Sequence, residues 1–261
     1  MSEEYSILKK CTAECVGTFM IVAGGCGMVC ACKYANYPMG PLGIPVVFGM
    51  AVTMAVYTTR DISGAHLNPA VTASLAINKP EACPKEIIVP YVASQMLGAT
   101  LAGALNYVIY NNGIKDFEKA ENIVRGTKGS IQSYNGAFGM IPNKRLAGKN
   151  LTALMLEVGM TSALLFTIFA LTDPKKSVPS AAAPALIGTT VTALASQFAP
   201  VTGCGMNPAR DLGPRLVTAA TGWGAAAWHP AWWVYSVGPV AGAILGGAAY
   251  NTLMTPDKKK N

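Results

Sequence analysis

The sequence has little charge: of its 261 residues, only 13% are Asp, Glu, Lys or Arg, whereas 51% are apolar. A soluble domain carries about 25% charged residues, so this chain has about half the usual share. Four stretches contain no charged residue, and each is longer than the roughly 20 residues that cross a bilayer core: 34–59, 87–114, 177–209 and 216–256. These absences argue against a soluble enzyme or a disordered chain, and they predict a polytopic helical membrane protein.

The sequence also has few residues for metal or redox chemistry. Its two histidines, His66 and His229, have no cluster of ligand residues around them, so we expect no metal site and no cofactor. The seven cysteines are odd in number and lie mostly in apolar segments, which argues against a disulfide framework. The net charge of +7 is spread over loops and the Lys258–Lys260 tail, which favours a membrane surface and no nucleic-acid partner.

Apolar runs between the charge clusters predict six membrane spans and two shorter pieces. The predicted spans are about 11–32, 43–60, 86–112, 150–172, 183–201 and 231–254. The shorter pieces, about 66–78 and 207–219, have room for only two or three helical turns, which is near 15 Å at 1.5 Å per residue. Because this is half a membrane, we expect both pieces to be re-entrant or interfacial.

The two short pieces repeat each other, since each contains Asn-Pro-Ala, at Asn68 and at Asn207, 139 positions apart. Glu14 and Glu157 recur at nearly the same offset. Each half holds three predicted crossings, so the second half enters the membrane from the opposite side. We expect one channel domain over 1–261, with both termini in the cytoplasm, made of repeat one (about 8–112), a linker (about 113–149) and repeat two (about 150–254).

Asn-Pro indicates the start of a helix, because Asn caps the first turn and Pro suits its first position. Half-helices from opposite faces would bring Asn68 and Asn207 together near the midplane, each with about +0.5 elementary charge at its N-terminus. This field opposes cations, and a free amide N–H could donate to water or to a hydroxyl. Extended residues before each cap would turn carbonyls toward the lumen: Gly64, Ala65, His66, Leu67, Gly203, Cys204, Gly205 and Met206. The pattern predicts a selective pore for small neutral polar molecules.

The segments Gly-Ala-His-Leu-Asn-Pro-Ala-Val-Thr (64–72) and Met-Asn-Pro-Ala-Arg-Asp-Leu-Gly-Pro-Arg (206–215) resemble the two signature loops of the aquaporin and glycerol-facilitator family, the major intrinsic proteins. The resemblance covers nearly the whole chain. It implies an all-α membrane protein of six transmembrane helices and two re-entrant half-helices, assembled in the lipid bilayer as a homotetramer. It also implies a passive channel, not an enzyme, for water and small neutral solutes such as glycerol, urea or hydrogen peroxide.

The resemblance assigns four positions to the narrowest ring of the pore: Phe48, Ala195, Cys204 and Arg210. Strict water channels typically have His at the Ala195 position, whereas glycerol facilitators have a small residue there and tend to have Trp and an aromatic residue at the Phe48 and Cys204 positions. Ala195 resembles the facilitators, but Phe48 and Cys204 resemble the water channels. This sequence is therefore a hybrid. Three further residues resemble markers of the glycerol-conducting branch: Tyr110, Asp211 and Arg215. We expect an aquaglyceroporin-like channel, and the alternative is a water-selective channel with little glycerol flux.

Several charged residues have two interpretations. Glu14 and Glu157 could form a proton relay in an ion-coupled transporter, or each could accept N–H bonds from the irregular loop of its own repeat. Arg210 could donate to passing hydroxyls and repel cations, or it could pair with Asp211. The internal symmetry favours the loop-support role and the resemblance favours the filter role. No nucleophile–base pair or metal signature supports an intramembrane enzyme.

Two uncharged features also have alternatives. His66 could be a gate, but we expect it to pack within its own loop. Gly238, Gly242 and Gly246 form a small-residue ridge with a spacing of four residues. Such a ridge serves either a dimer face or close packing inside one subunit.

Overall fold

The computed structural model describes residues 5–255, which are mostly helical, as the composition predicts. The Lys258–Lys260 tail lies outside the described residues. In chain order the helices are α1 (Ile7–Tyr34), α2 (Gly43–Ser63), α3 (Pro69–Asn78), α4 (Lys85–Ala120), α5 (Ile131–Tyr134), α6 (Asn150–Leu171), α7 (Ala183–Phe198), α8 (Pro208–Thr218) and α9 (Val234–Leu253). By length and apolar composition, three of them are long enough to cross a membrane, namely α1, α4 and α6.

The helices agree with the eight predicted segments, and the differences lie at their ends. Helix α1 begins at Ile7 because the Ser6 side chain accepts a hydrogen bond from the Lys9 backbone N–H. Helix α4 extends to Ala120, well into the predicted linker, because its last turns bury Ile114 and Glu118 against the linker. Helix α7 ends at Phe198, earlier than predicted, where the chain turns toward α8.

The two halves of the chain pack in the same way. Helix α1 packs along α4 in the first half, and α6 packs along α9 in the second. Gly98 of α4 lies against the backbone of Cys15, and Gly242 of α9 lies against the backbone of Val158. At both sites a Cβ atom would collide with a main-chain carbonyl, so the helix pairs approach closely only because these residues are glycine.

The glycine ridge of α9 faces α6. A Cβ atom added at Gly238 would lie 2.8 Å from the Glu157 Cβ, and Cβ atoms added at Gly242 and Gly246 would meet the α6 backbone. The ridge therefore serves close packing within the subunit, which was one of its two interpretations.

The linker folds over the face of the molecule opposite the start of α1 and the end of α9. Its aromatic residues Tyr134 and Phe138 are buried in a cluster with Tyr34 and Trp223. The Tyr134 hydroxyl donates to the Ala226 carbonyl over 2.8 Å. Burial raises the pKa of Tyr134 to about 12, so the phenol remains a donor at neutral pH. We call this side the linker face and the opposite side the terminal face.

Arg125 fixes the start of the linker. Its guanidinium forms an ion pair with Glu118 at the end of α4 over 2.7 Å and lies over the Trp223 ring, 3.9 Å from the centroid. A further N–H donates to the Thr221 carbonyl over 3.1 Å. Arg125 also donates to the Tyr107 hydroxyl of repeat one over 3.1 Å, so it binds the linker to both repeats.

Candidate functional site

The two half-helices begin with the same cap. Asn68 accepts a hydrogen bond from the Ala70 N–H through its side-chain oxygen over 2.8 Å, and Asn207 accepts one from the Ala209 N–H over 3.0 Å. Proline follows each asparagine at the first helical position. The positive ends of the two helix dipoles therefore lie at these asparagines.

The two caps meet and are joined by reciprocal hydrogen bonds. The Asn68 amide donates to the Met206 carbonyl over 2.9 Å, and the Asn207 amide donates to the Leu67 carbonyl over 3.0 Å. These two carbonyls, which we expected to serve the lumen, are therefore occupied by the protein. The second N–H of each amide has no partner among residues 5–255, and both asparagines line the cavity, so each offers one donor to a solute.

The sequence predicts extended loops before the caps, and this prediction is wrong. Of the three residues before each asparagine cap, the first and the third lie in the left-handed region. Ala65 and Leu67 have φ of 51° and 52°, and Cys204 and Met206 have φ of 62° and 52°. Such residues cost on the order of 1–3 kcal/mol each and persist only where the surroundings hold them. The alternation turns successive N–H groups to one side, which forms a concavity that binds an anion.

The Glu14 carboxylate occupies the concavity of the first loop. It accepts the His66 N–H over 2.9 Å and the Leu67 N–H over 2.6 Å. It also accepts the Ser63 hydroxyl over 2.7 Å and the Gln95 amide over 2.8 Å. Since the carboxylate is fully buried and its oxygens accept four donors, its contacts favour the loop-support interpretation.

The Glu157 carboxylate does the same in the second loop with fewer partners. It accepts the Gly205 N–H over 3.0 Å and the Met206 N–H over 3.1 Å, and it is fully buried. A Cβ atom at position 205 would lie 2.8 Å from a Tyr235 ring carbon and 3.0 Å from a Glu157 oxygen. Glycine at 205 is therefore required for the close approach of the carboxylate.

A cavity of about 1050 Å³ passes through this junction. Arg60 and Lys175 line it at the terminal face, and Asn135 and Asn143 line it at the linker face. Between the two mouths its walls include every residue of the two loops predicted to present carbonyls: Gly64, Ala65, His66, Leu67, Gly203, Cys204, Gly205 and Met206. The cavity therefore connects the two faces of the molecule past the asparagines.

Arg210, two residues into α8, points into the cavity on the linker side of the asparagines. It is 4% exposed, and its guanidinium lies 5.3 Å from the centroid of the Phe48 ring. Its Nη2 donates to the Gly136 carbonyl over 3.0 Å. Its Nε and Nη1 are buried without a hydrogen-bond partner among the described residues. Because a buried, unpaired donor costs about 1–3 kcal/mol, these two N–H groups are suited to a solute acceptor.

Asp211 does not pair with Arg210, which was the alternative interpretation. It forms a bidentate ion pair with Arg215, over 2.8 and 3.0 Å, and both side chains are fully buried. Asp211 accepts the Met140 N–H over 2.5 Å, and Arg215 donates to the Met140 carbonyl over 2.8 Å. The pair therefore anchors the linker.

Comparisons with known proteins agree with this geometry. The family model of the major intrinsic proteins matches residues 1–250. The chain belongs to the major intrinsic protein family. It is 39% identical over 261 residues to the glycerol uptake facilitator protein of Escherichia coli (strain K12), covering 97% of this chain and 91% of the relative.

Two further comparisons extend the match. The chain is 39% identical over 253 residues to the propanediol uptake facilitator PduF of Salmonella typhimurium, covering 94% of this chain and 93% of that protein. Its fold is similar to that in the X-ray structure of the aquaglyceroporin from Plasmodium falciparum, with a TM-score of 0.81 and 22% identity over 95% of this chain and 97% of that one. The chain is therefore an integral membrane protein with the helical fold of this family.

This member of the major intrinsic proteins brings its four predicted ring positions together. Phe48, Ala195, Cys204 and Arg210 all line the cavity. Ala195 and Cys204 belong to one buried cluster, and Phe48 packs against it. Three of these four side chains are thus apolar or weakly polar, and the Arg210 guanidinium supplies the strong donors.

Tyr110 lies apart from the cavity, whereas His66 is part of its wall. Tyr110 packs against the aromatic cluster under the linker. His66 packs within its loop, as expected, with its Nδ1 3.1 Å from the Thr72 hydroxyl. Gly136 and Met140, which bring the linker to Arg210 and Asp211, were not predicted from the sequence. The available signal was the pair of glycines at 136 and 139 in an otherwise charged linker.

Proposed function

We propose that this chain is a passive transmembrane channel for water and small neutral solutes, with glycerol as the main organic solute, and that it excludes protons and ions. The observation that carries this proposal is the pair of buried Arg210 N–H groups without a protein acceptor, next to the junction of Asn68 and Asn207. The names of the relatives, a glycerol uptake facilitator and a propanediol uptake facilitator, support this class of solute.

The chemistry of the ring suits a polyol. Adjacent hydroxyl oxygens can accept hydrogen bonds from Nε and Nη1 of Arg210, while the carbon backbone lies against Phe48 and the small Ala195 leaves room. Beyond the ring, the free amide N–H groups of Asn68 and Asn207 donate to the same hydroxyls. The Gly205 carbonyl accepts the Asn207 backbone N–H. The remaining loop carbonyls accept the hydroxyl protons, namely those of Gly64, Ala65, His66, Gly203 and Cys204.

Ion exclusion follows from the charges along the path. The guanidinium of Arg210 and the two helix N-termini all present positive charge to the cavity, which raises the energy of a cation or hydronium there. Glu14 and Glu157 accept hydrogen bonds from their own loops. This disfavours a coupled transporter, which needs carboxylates that exchange protons or sodium with the path.

We further propose the assembly and orientation of the channel. One channel domain comprises repeat one (about 8–112), the linker (about 113–149) and repeat two (about 150–254), and it forms a homotetramer in which each subunit has its own pore. An exposed apolar stripe on α2, formed by Val46, Met50, Met54 and Tyr57, is suited to lipid or to a neighbouring subunit. Both termini lie in the cytoplasm.

Flux into proteoliposomes tests the proposal. We expect fast water efflux under an osmotic gradient and fast re-swelling with glycerol, both independent of pH gradient and sodium. Flux that stops when the pH gradient or sodium is removed would contradict a passive channel. Water flux without glycerol flux would instead indicate the water-selective alternative. Empty liposomes and the Arg210→Val variant serve as controls.

A further inference from the structure

Among the linker residues that line the cavity, Gly136 contacts Arg210 through its carbonyl oxygen. This oxygen accepts the Nη2 of Arg210 over 3.0 Å, and no other hydrogen bond of the guanidinium is found among residues 5–255. The direction in which Nε and Nη1 point is therefore set in part by the position of the Gly136 carbonyl. We call residues 135–140 the filter turn.

The filter turn is a tight loop with a fixed far end. Gly136 has φ of 82°, and its N–H donates to the Gly139 carbonyl over 2.9 Å. At residue 140 the turn is held by Asp211 and Arg215, through both the N–H and the carbonyl of Met140. Both of these charged residues are in α8, like Arg210 itself.

The near end of the filter turn is held by the first repeat. Lys33, in the last turn of α1, donates from its ammonium to the Gln132 carbonyl over 2.5 Å and to the Asn135 carbonyl over 3.2 Å. The ammonium also lies over the Phe117 ring, 5.2 Å from its centroid. Asn135 directly precedes Gly136, so Lys33 holds the residue next to the carbonyl that binds Arg210.

We propose that Lys33 is a positioning residue for Arg210 and thereby sets the ratio of glycerol to water permeability. Lys33 is not among the residues that line the cavity, so it acts through the filter turn and not by touching the solute. Without its two hydrogen bonds, the Gly136 carbonyl loses its fixed position and the guanidinium can rotate. A polyol, which accepts from two N–H groups at once, loses more than water, which needs one.

The inference rests on the proposed function, and its test compares substitutions at Lys33. Lys33→Met removes the donors but keeps the length of the side chain, whereas Lys33→Arg keeps charge and donors. Lys128→Met removes an exposed linker charge as a matched control. We expect the ratio of glycerol to water permeability in proteoliposomes to fall about three- to tenfold in Lys33→Met, and to stay near the native value in Lys33→Arg and Lys128→Met.

A second measurement separates positioning from a general structural role. In an Arg210→Val background, Lys33→Met has no guanidinium left to misplace, so we expect no further change in the ratio. An equal loss of both fluxes in Lys33→Met, an unchanged ratio, or an effect that persists without Arg210 would each overturn the inference.

Two controls keep the result decisive. If Lys33→Met does not reach the membrane, Lys33→Leu, which also has no donor, replaces it, and its ratio is judged by the same criteria. If the native chain passes neither water nor glycerol, the proposed function fails. If the native chain conducts and the variant ratios are unchanged, this inference alone fails.

Discussion

The two loops that meet in the middle of the molecule, 64–72 and 203–211, share one scaffold and differ in charge. Each has a pair of left-handed residues, a buried glutamate beneath it and an asparagine cap. At the position equivalent to Arg210 the first loop has Val71, and helix α3 contains no charged residue, whereas α8 contains Arg210, Asp211 and Arg215. The duplication thus provides a symmetric support, and the charged residues are added to the half-helix of the second repeat only.

The two loops are also held differently. Glu14 accepts four donors, two of them from side chains, while Glu157 accepts two backbone N–H groups. Where the first loop has the large side chain of His66, the second has Gly205, packed against Tyr235. The support of the first loop therefore includes hydrogen bonds from surrounding side chains to Glu14. The second loop is held by the close packing of Gly205 against Tyr235 and Glu157.

The largest effect is expected from removing the supporting carboxylates. Glu14→Ala removes the acceptor of four buried donors: the His66 and Leu67 N–H groups lose their only partner, while Ser63 and Gln95 keep second acceptors in Thr59 and Thr72. Glu157→Ala leaves two backbone N–H groups unpaired, and each unpaired donor costs about 1–3 kcal/mol. We expect both variants to lose stability, and Glu14→Ala to lose more. Thermal unfolding of the purified protein in detergent checks the order, with Glu121→Ala in the exposed part of the linker as control. A larger loss in Glu157→Ala would contradict the comparison.

The next largest effect is expected at Gly205, where the second loop packs closely against Tyr235. Gly205→Ala places a Cβ atom 2.8 Å from the Tyr235 ring, so the loop must shift, at a cost of about 1–3 kcal/mol. We expect lower flux and a lower unfolding temperature. In the first loop, His66→Ala should reduce flux less, because Glu14 still holds the backbone. Equal flux in native and Gly205→Ala protein would show that position 205 has room for a side chain.

The charge difference between the loops is tested at Arg210 and Val71. Arg210→Val makes the second loop like the first, which removes the solute donors and a positive charge from the path. We expect glycerol permeability to fall by at least about tenfold, since a single lost hydrogen bond to a charged donor is worth about 1.5–3 kcal/mol and about 1.4 kcal/mol is a factor of ten. We also expect cations to leak. Val71→Thr should change neither. Measuring glycerol and proton flux in the same vesicles checks both outcomes, and unchanged proton exclusion in Arg210→Val would argue against a role for the guanidinium charge.

The smallest effect is expected at the open corner of the ring. Ala195→His fills the space beside Phe48 and should cut glycerol permeability about fivefold while water permeability changes little, since one pocket-filling change is worth about 1–3 kcal/mol. Stopped-flow light scattering with each solute measures the two rates. If both rates stay at the native value, Ala195 does not lie at the narrowest ring.

Local patterns predict the scaffold well and the linker poorly. Asn-Pro, the duplicated glutamates and the apolar runs are short-range signals, and the caps, carboxylates and helices follow from them. The contacts of Lys33 and Arg210 with the filter turn join residues that are distant in the chain, so no spacing reveals them. The pairing of Asp211 with Arg215 was available from their four-residue spacing on a helix, although their joint hold on Met140 was not.

The sequence also could not predict which loop carbonyls accept hydrogen bonds from within the protein. An asparagine cap predicts one acceptor bond, but the partner of its amide depends on how the two halves face each other. The reciprocal bonds of Asn68 and Asn207 therefore occupy the carbonyls of Met206 and Leu67, which local reasoning assigned to the lumen.

The claim that Arg210 and the two asparagines donate hydrogen bonds to the solute can be examined in a crystal structure of the protein grown with glycerol. Such a structure locates the glycerol hydroxyls relative to these donors. The account predicts glycerol in the ring, with hydroxyl oxygens within hydrogen-bond distance of Nε and Nη1 of Arg210, and further solute or water at the amides of Asn68 and Asn207. A guanidinium turned away from the cavity, or asparagines separated with no passage between them, would contradict it.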